Sequence, residues 1–207
     1  MSIKLYYSPG ACSLAPHIVA REAGLKIDLD KLDFATGKTE SGETFAEVNP
    51  KGYVPALRLD NGEVLTEVAT LVQYLADQAP QSGLAPASGT MERYRLQEWL
   101  TFVSTEIHKG FGPLWKPDTP EAMRDIVKAN LAKRFAYLDQ RLASRPFLTG
   151  ERFTAADAYL FTVVNWTNFH DIDLKPYPIL AGFMQRVAAR PAVQQALQAE
   201  GLLKKAA

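Results

Sequence analysis

The chain has 207 residues, of which 47% are hydrophobic and 22% charged, as in ordinary globular proteins of one large or two modest domains. Basic and acidic residues balance at 23 each, so no global field favours nucleic acid or an anionic membrane. A single cysteine excludes an internal disulfide, three histidines lack metal-ligand spacing, and no apolar run reaches the roughly 18 residues of a membrane span. We therefore expect a protein without signal peptide or metal in the reducing cytoplasm.

The first 80 residues alternate between strand and helix patterns. The boundaries of these elements follow from hydrophobic alternation, from the helix-stop signal Gly24 and from the hairpin signal Asp60-Asn61-Gly62. Residues 34–49 have the composition of a loop. The predicted elements are strands at 3–7 and 27–34, hairpin strands at 54–59 and 63–66, and helices at about 13–23 and 67–78. The order βαβ–ββα predicts a small thioredoxin-like layer structure.

The remainder of the chain is predicted to be helical. Residues 81–90 are rich in Pro, Gly, Ser and Ala and lack charge, which is typical of a linker. Helical spacing then covers 91–110, about 120–144, 155–168 and about 178–189, with a short helix from 191. We therefore expect an α+β protein, with a thioredoxin-like domain at 1–80 and an all-α domain at 91–207.

Cys12 follows the first predicted strand, and the pattern places it at the first turn of the next helix. Unpaired amide groups and the positive dipole end of a helix stabilise a thiolate at such a position. A lone cysteine can equally be a small buried apolar side chain. Because position 15 is Ala, Cys12 has no resolving partner, so any disulfide must form with a small thiol such as glutathione or with another protein.

Two further features could hold an extended peptide ligand. A cis Val54–Pro55 bond would turn the Val54 amide and carbonyl outward for antiparallel pairing, although an ordinary trans proline on an edge strand is the commoner case. Glu67 opens a predicted helix after Thr66. It either stabilises the helix N-terminus as an acidic residue or receives the ammonium group of the ligand.

In the helical part, a polar stripe and a capping pair stand out. Thr101, Ser104, Thr105 and His108 recur at i, i+3, i+4 and i+7, so an α-helix would present them on one face, towards either a ligand or solvent. Thr154 and Asp157 fit the N-cap and N3 positions of an apolar helix and are interpreted as structural.

Taken together, these blocks resemble the bacterial beta class of glutathione S-transferases over essentially the whole chain. The resemblance rests on the following segments, quoted in chain order: Ser8-Pro9-Gly10-Ala11-Cys12-Ser13-Leu14, Val48-Asn49-Pro50-Lys51-Gly52-Tyr53-Val54-Pro55-Ala56-Leu57, Leu65-Thr66-Glu67, Glu106-Ile107-His108-Lys109-Gly110, Ala156-Asp157-Ala158-Tyr159-Leu160-Phe161 and Ala199-Glu200-Gly201-Leu202.

The resemblance implies a homodimer that binds glutathione as substrate in the cleft between its domains. It implies catalytic roles near the sulfur for Cys12, Ser13 and His108, and a structural cis-proline at Pro55. The residues implied to bind glutathione are Cys12, Lys38, Val54, Glu67, Val68, Thr101, Thr105, Glu106, Ile107 and His108. The family lysine position falls on Gly37, so the adjacent Lys38 is expected to replace it.

Three functions follow as hypotheses. The leading one is conjugation of the glutathione thiolate to a hydrophobic electrophile, the detoxification chemistry of the family, against the apolar residues Phe111, Trp115 and Trp166. The second is a glutathione-dependent thiol–disulfide oxidoreductase with Cys12 as nucleophile. The third is a non-catalytic protein that binds glutathione or a hydrophobic ligand.

Overall fold

A computed structural model describes residues 3–203 and divides them into two compact units. The first unit comprises residues 3–85 together with 189–203, and the second comprises 86–188. The final helix therefore belongs with the N-terminal part of the chain, whereas the sequence suggested a helical domain running from 91 to the C-terminus. No described helix is long and apolar enough to cross a membrane.

The first unit is built around a five-stranded mixed sheet in the order β3-β2-β1-β4-β5. Strands β1 and β2 are parallel, as a helical crossover requires, and the other neighbouring pairs are antiparallel. The elements are β1 (Ile3–Tyr7), α1 (Leu14–Glu22), β2 (Ile27–Asp33), β3 (Lys38–Thr39), α2 (Phe45–Val48), β4 (Ala56–Arg58), β5 (Val64–Thr66), α3 (Val68–Asp77) and α9 (Pro191–Ala199). This arrangement confirms the thioredoxin-like fold.

Helix α1 packs against both α3 and α9, which explains its burial. Every residue of α1 from Leu14 to Ala20 is buried, including the polar His17. The predicted loop over 34–49 contains the short elements β3 and α2. Phe45 and Val48 of α2 pack into a cluster with Tyr6, so this segment contributes to the core. A helix of four residues is too short to show a hydrophobic period in the sequence.

The second unit is all helical. Its α-helices are α4 (Met91–Phe102), α5 (Lys109–Phe111), α6 (Glu121–Leu142), α7 (Ala155–Val164) and α8 (Pro178–Ala188). A π-helical segment, Val103–His108, joins α4 to α5, and a 3₁₀ turn, Asn165–Phe169, follows α7. Helix α7 is buried along its whole length and packs against α4, the π-helical segment and α8, so it forms the centre of this unit.

Candidate functional site

Cys12 lies in the loop that connects β1 to α1. Backbone hydrogen bonds from Ala11 N to Ser8 O (3.1 Å) and from Leu14 N to Ala11 O (3.0 Å) turn the chain into the helix. Gly10 has a φ of 71°, a left-handed conformation that favours glycine. Cys12 stands two residues before the first helical residue, with 9% of its surface exposed.

The Cys12 thiol contacts the backbone that precedes β4. Its Sγ donates a hydrogen bond to the Val54 carbonyl oxygen over 3.3 Å, and the Val54–Pro55 peptide bond is cis. A carbonyl oxygen has two lone pairs, so Val54 can accept a second hydrogen bond. The contact brings together two of the predicted ligand-binding residues, which lie 42 residues apart in the chain.

Ser13 occupies the N-cap position of α1 and has no exposed surface. Its hydroxyl donates to the Ser8 carbonyl oxygen at 3.2 Å and accepts from the Ser8 amide at 3.1 Å. Both bonds close the loop around Cys12. The implied catalytic role of Ser13 stays a prediction, and in this structure its hydroxyl proton is directed to the Ser8 carbonyl oxygen.

Glu67 has a backbone conformation that side chains rarely adopt. Its φ of 72° lies in the left-handed region, which costs about 1–3 kcal/mol for a non-glycine residue and is concentrated at functional sites. Glu67 is the N-cap residue of α3, but its side chain makes no capping hydrogen bond. The carboxylate is half exposed, so helix capping does not explain this acid. Val68, the next residue, is buried.

The Glu67 carboxylate is met by two residues that the sequence interpretation did not assign. Lys51 Nζ lies 2.6 Å from Glu67 Oε1, and the Tyr53 hydroxyl donates to the same oxygen at 3.0 Å. The hydrogen bond to Glu67 raises the pKa of Lys51. Partial burial raises the pKa of Tyr53, and the hydrogen bond to Glu67 raises it further. Lys51, Tyr53 and Glu67 thus form one hydrogen-bonded cluster of charged and polar groups.

The segment carrying Lys51 and Tyr53 is held by a buried amide. Asn49 is 2% exposed; its Nδ2 donates to the Tyr53 carbonyl oxygen at 2.8 Å, and its Oδ1 accepts from the Lys51 amide at 3.2 Å. Lys51 and Tyr53 lie in the same sequence block as Val54. Their position just before Val54-Pro55 was the signal that could have identified them as residues of the site.

Lys38 lies in β3 and is exposed. It lines an open cavity of about 700 Å³, together with Ser8 of the Cys12 loop and residues 31–36 and 39–40. Ser8 and Lys38 therefore border one concave surface. The assignment of Lys38 to the ligand stays a prediction.

In the helical unit, the predicted polar stripe does not follow α-helical geometry. The segment Val103–His108 is π-helical, which widens the turn and shifts the phase of the residues that follow. Thr101 and Thr105 are exposed, and the Thr105 hydroxyl donates to the Thr101 carbonyl oxygen at 3.0 Å. The prediction of one continuous α-helix over 91–110 is wrong at this point.

The two residues before His108 differ in accessibility. Glu106 pairs with Arg134 of α6 at 2.6 Å, and both side chains are partly exposed. Ile107 has no exposed surface. The resemblance implies that Ile107 binds glutathione without specifying through which atoms, and this assignment stays a prediction; the buried side chain offers no surface to a ligand.

His108 ends the π-helical segment and is partly buried. Its Nδ1 is 2.6 Å from the hydroxyl oxygen of Tyr159 in α7, and the two rings are nearly perpendicular. The Trp166 ring also meets the imidazole edge-on, with centroids 5.0 Å apart. The imidazole is thus held by a hydrogen bond and an aromatic contact from the centre of the helical unit.

The three residues expected to contact a hydrophobic co-substrate differ in exposure. Phe111 has no exposed surface, Trp166 is 4% exposed and Trp115 is 48% exposed. Phe111 and Trp115 each contact Trp166 edge-on, with ring centroids 5.7 and 5.5 Å apart. Phe111 therefore supports the cluster from beneath, and its predicted direct contact with a co-substrate is not supported. Trp115 presents most of the accessible aromatic surface.

Thr154 and Asp157 form a capping box at the start of α7, as predicted. Asp157 is fully buried and accepts hydrogen bonds from the Thr154 amide, the Thr154 hydroxyl and the Leu148 amide, each at 2.8 Å. Burial raises the pKa of Asp157 to about 6, against the opposing effect of these donors. The pair explains how α7 begins and needs no further role.

Residues 3–203 contain no group of three or more His, Cys, Asp or Glu side chains that could hold a metal ion.

Two family models match the chain, one to each part. The model described as "Glutathione S-transferase, N-terminal domain" matches residues 10–78, and that described as "Glutathione S-transferase, C-terminal domain" matches residues 102–191. Among curated proteins, the chain is 48% identical over 200 residues to glutathione S-transferase GstA of Escherichia coli O157:H7, covering 97% of this chain and 100% of that protein.

Solved structures give the same result. A sphingomonad glutathione S-transferase complexed with glutathione is 48% identical, with a TM-score of 0.94 over 97% of this chain and 100% of that one. A bacterial beta class glutathione S-transferase from Sphingomonas chungbukensis is 46% identical, with a TM-score of 0.93 and the same coverage of both chains.

Proposed function

Because the chain belongs to the glutathione S-transferase family, we propose that it transfers the glutathione thiolate to an electrophilic carbon of a hydrophobic co-substrate. The observation that carries this proposal is the contact between the Cys12 thiol and the Val54 carbonyl, beside the cis-proline. An extended tripeptide that pairs with the Val54 backbone would bring its own thiol next to Cys12.

The charges near Val54 suit the γ-glutamyl end of glutathione, which carries an ammonium and a carboxylate on one carbon. Glu67 offers a carboxylate for the ammonium group, and Lys51, 2.6 Å from it, offers a positive charge for the carboxylate. The strained backbone of Glu67 supports this assignment, since such strain persists where function requires it. Lys38 is the candidate for the glycyl carboxylate.

The reaction itself needs deprotonation of the glutathione thiol. The thiolate then forms a C–S bond, and the electron pair of the breaking bond leaves with the departing group. We assign stabilisation of the thiolate to the start of α1, the Cys12 thiol and the His108 imidazole. The exposed face of Trp115 is the candidate surface for the co-substrate.

Conjugation is tested with an aryl halide and the variants Cys12→Ala and Glu67→Gln. Cys12→Ala should retain part of the activity, because glutathione is the nucleophile. Glu67→Gln should raise the KM for glutathione about 10- to 100-fold, as for a lost charged hydrogen bond of about 1.5–3 kcal/mol. Glu63→Gln, the same change in the exposed hairpin, is the matched control. Complete loss of conjugation in Cys12→Ala, with glutathione binding intact, would refute this division of roles.

Thiol–disulfide exchange is a second candidate, favoured by the placement of the chain's single thiol beside Val54. The Cys12 thiolate would attack one sulfur of oxidised glutathione, forming a mixed disulfide while the other half leaves as thiolate. Mass spectrometry should then show an adduct of one glutathione in the wild type. The adduct should be absent from Cys12→Ser, and its persistence there would exclude Cys12 as the site.

The domain assignment follows from the family. We assign glutathione recognition to residues 1–80, a linker to 81–90, and additional ligand contacts, including Thr101, to the helical domain over 91–207. Helix α9 packs with the first unit, so we assign its end a role in supporting the Cys12 loop.

We infer a homodimer in the cytoplasm. Exposed apolar side chains on α4 and α6, namely Met91, Tyr94, Met123 and Ile126, supply surface for a second copy. Sedimentation analysis should give twice the 22.9 kDa chain mass, whereas a monomer at micromolar concentration would contradict the inference.

A further inference from the structure

The hydroxyl of Tyr159 is the side-chain group that fixes one end of the His108 imidazole. Its oxygen is 2.6 Å from His108 Nδ1, a short hydrogen bond for an O–N pair. Tyr159 is 1% exposed, so water does not compete freely for its hydroxyl. The ring planes differ by 87°, with centroids 5.8 Å apart, so the rings also make an edge-to-face contact.

Tyr159 is itself held in place by the start of α7. The capping box at Thr154 and Asp157 lies within its own helix, two to five residues earlier, and Asp157 also accepts the Leu148 amide at 2.8 Å. Every residue of α7 is buried. The Tyr159 hydroxyl therefore belongs to a helix that is buried along its whole length, so its position has little freedom.

His108, in contrast, ends a π-helical segment, whose wider turn is less regular than an α-helix. A backbone of this kind does not by itself define how the ring is turned. The Trp166 contact, at 5.0 Å and 77°, restricts the ring from another side but cannot distinguish the two nitrogens. The Tyr159 hydroxyl distinguishes them, because its hydrogen bond is to Nδ1.

We propose that Tyr159 is a positioning residue that sets the orientation and the tautomer of His108. A neutral imidazole carries one N–H: a hydroxyl that donates to Nδ1 leaves the proton on Nε2, and one that accepts from Nδ1–H leaves Nε2 as an acceptor. This inference rests on the proposed function, in which the His108 imidazole helps to stabilise the glutathione thiolate. Tyr159 touches no reacting atom and acts only through His108.

The matched variants are Tyr159→Phe and Tyr137→Phe. Both remove a tyrosine hydroxyl from the helical unit, but Tyr137 is exposed on α6 and its ring contacts Trp99 and Phe102. Thermal unfolding of both variants shows whether the fold is kept.

The first measurement is independent of activity. Nitrogen chemical shifts of the three histidine rings, assigned by single substitution, report the tautomer of each at a pH where the rings are neutral. The wild type and Tyr137→Phe should show one tautomer at His108, and Tyr159→Phe should show a mixture or the other tautomer. An unchanged His108 spectrum in Tyr159→Phe would overturn the inference, whatever the enzyme's activity.

The second measurement is a double-mutant cycle on kcat/KM for aryl halide conjugation. Tyr159→Phe should lower kcat/KM about tenfold in the wild type, the change expected when an orienting partner is lost. It should have no further effect in a His108→Ala background, since its action passes through the ring. An equal loss in both backgrounds would indicate a purely structural role. If His108→Ala alone is without effect, the proposed role of His108 fails, while the spectra still decide the positioning.

Discussion

A buried carboxylate ties the end of the chain to the Cys12 loop, and its removal gives the sharpest stability prediction. Glu200 follows α9, and its side chain has no exposed surface. Its Oε1 accepts from His17 Nδ1 at 2.9 Å, and its Oε2 accepts from the Gly10 amide at 3.0 Å. On the other side of the ring, Arg21 Nε donates to His17 Nε2 at 3.4 Å. Gly10 lies two residues before Cys12.

Glu200→Ala removes both acceptors while leaving their donors in place. Each buried donor without a partner costs about 1–3 kcal/mol, so the two donors together cost about 2–6 kcal/mol. We expect a loss of free energy of unfolding of about 2–6 kcal/mol. Glu200→Gln should lose less, because its amide keeps one acceptor oxygen and the side-chain volume.

The control breaks a partly exposed pair between the same two parts of the first unit. Glu22 of α1 binds Arg190, the N-cap residue of α9, at 2.6 and 2.8 Å. Because solvent reaches this pair, Glu22→Gln should cost only about 1 kcal/mol or less.

The assay is urea unfolding followed by far-ultraviolet circular dichroism, which reports both units. All three tryptophans, Trp99, Trp115 and Trp166, lie in the helical unit, so their fluorescence follows that unit alone. Coincident transitions justify a two-state free energy. A loss below about 1 kcal/mol in Glu200→Ala, or one no larger than in Glu22→Gln, would refute the reasoning from burial.

The remaining predictions concern two other carboxylates and the capping threonine. Hydrogen bonding to Arg58 lowers the pKa of Glu43 to about 2 from 4.5. The stability that this group contributes should therefore be lost as pH falls from about 4.5 towards 2. In Glu43→Gln, the free energy of unfolding measured in urea at a series of pH values should depend less on pH over this range. The pKa of Asp157 is shifted in the opposite direction, so its effect on stability has the opposite dependence on pH. Because burial raises its pKa to about 6 from 3.8, stability should decline as pH rises from about 4 to 6, and the decline should vanish in Asp157→Asn. Thr154→Ala should lower the free energy of unfolding by about 1 kcal/mol, measured by urea unfolding, and no loss would contradict its role as N-cap.

The family and the fold class predicted from the sequence are confirmed by the matched family models and by the five-stranded sheet with its helices. These predictions rested on features that act over a few residues or recur along the chain. Three examples are the strand ending at Tyr7, the hairpin at Asp60-Asn61-Gly62 and the capping box at Thr154. The residues within each of these elements are sufficient to explain why it forms.

Accessibility was the weaker part of the sequence interpretation. Ile107 was assigned to glutathione and Phe111 to the co-substrate, yet neither side chain has exposed surface. Ile107 lies within the π-helical segment and Phe111 follows it, so the side chains that share a face differ from those that an α-helical period predicts. A hydrophobic residue in a helix can line a cleft or fill a core with the same sequence pattern.

The sequence by itself determined the order of the longer strands and helices, the hairpin turn, the capping box of α7 and the place of the single thiol near the start of α1, since backbone preference and hydrophobic period act within a few residues. Only the tertiary structure decided which distant groups meet. Glu200 reaches His17 across 183 residues, Tyr159 reaches His108 across 51, and Lys51 and Tyr53 converge on Glu67. Such pairs form because packing of the sheet and helices closes long loops, and the partner of a polar side chain is then fixed by the neighbours that burial leaves within hydrogen-bond distance.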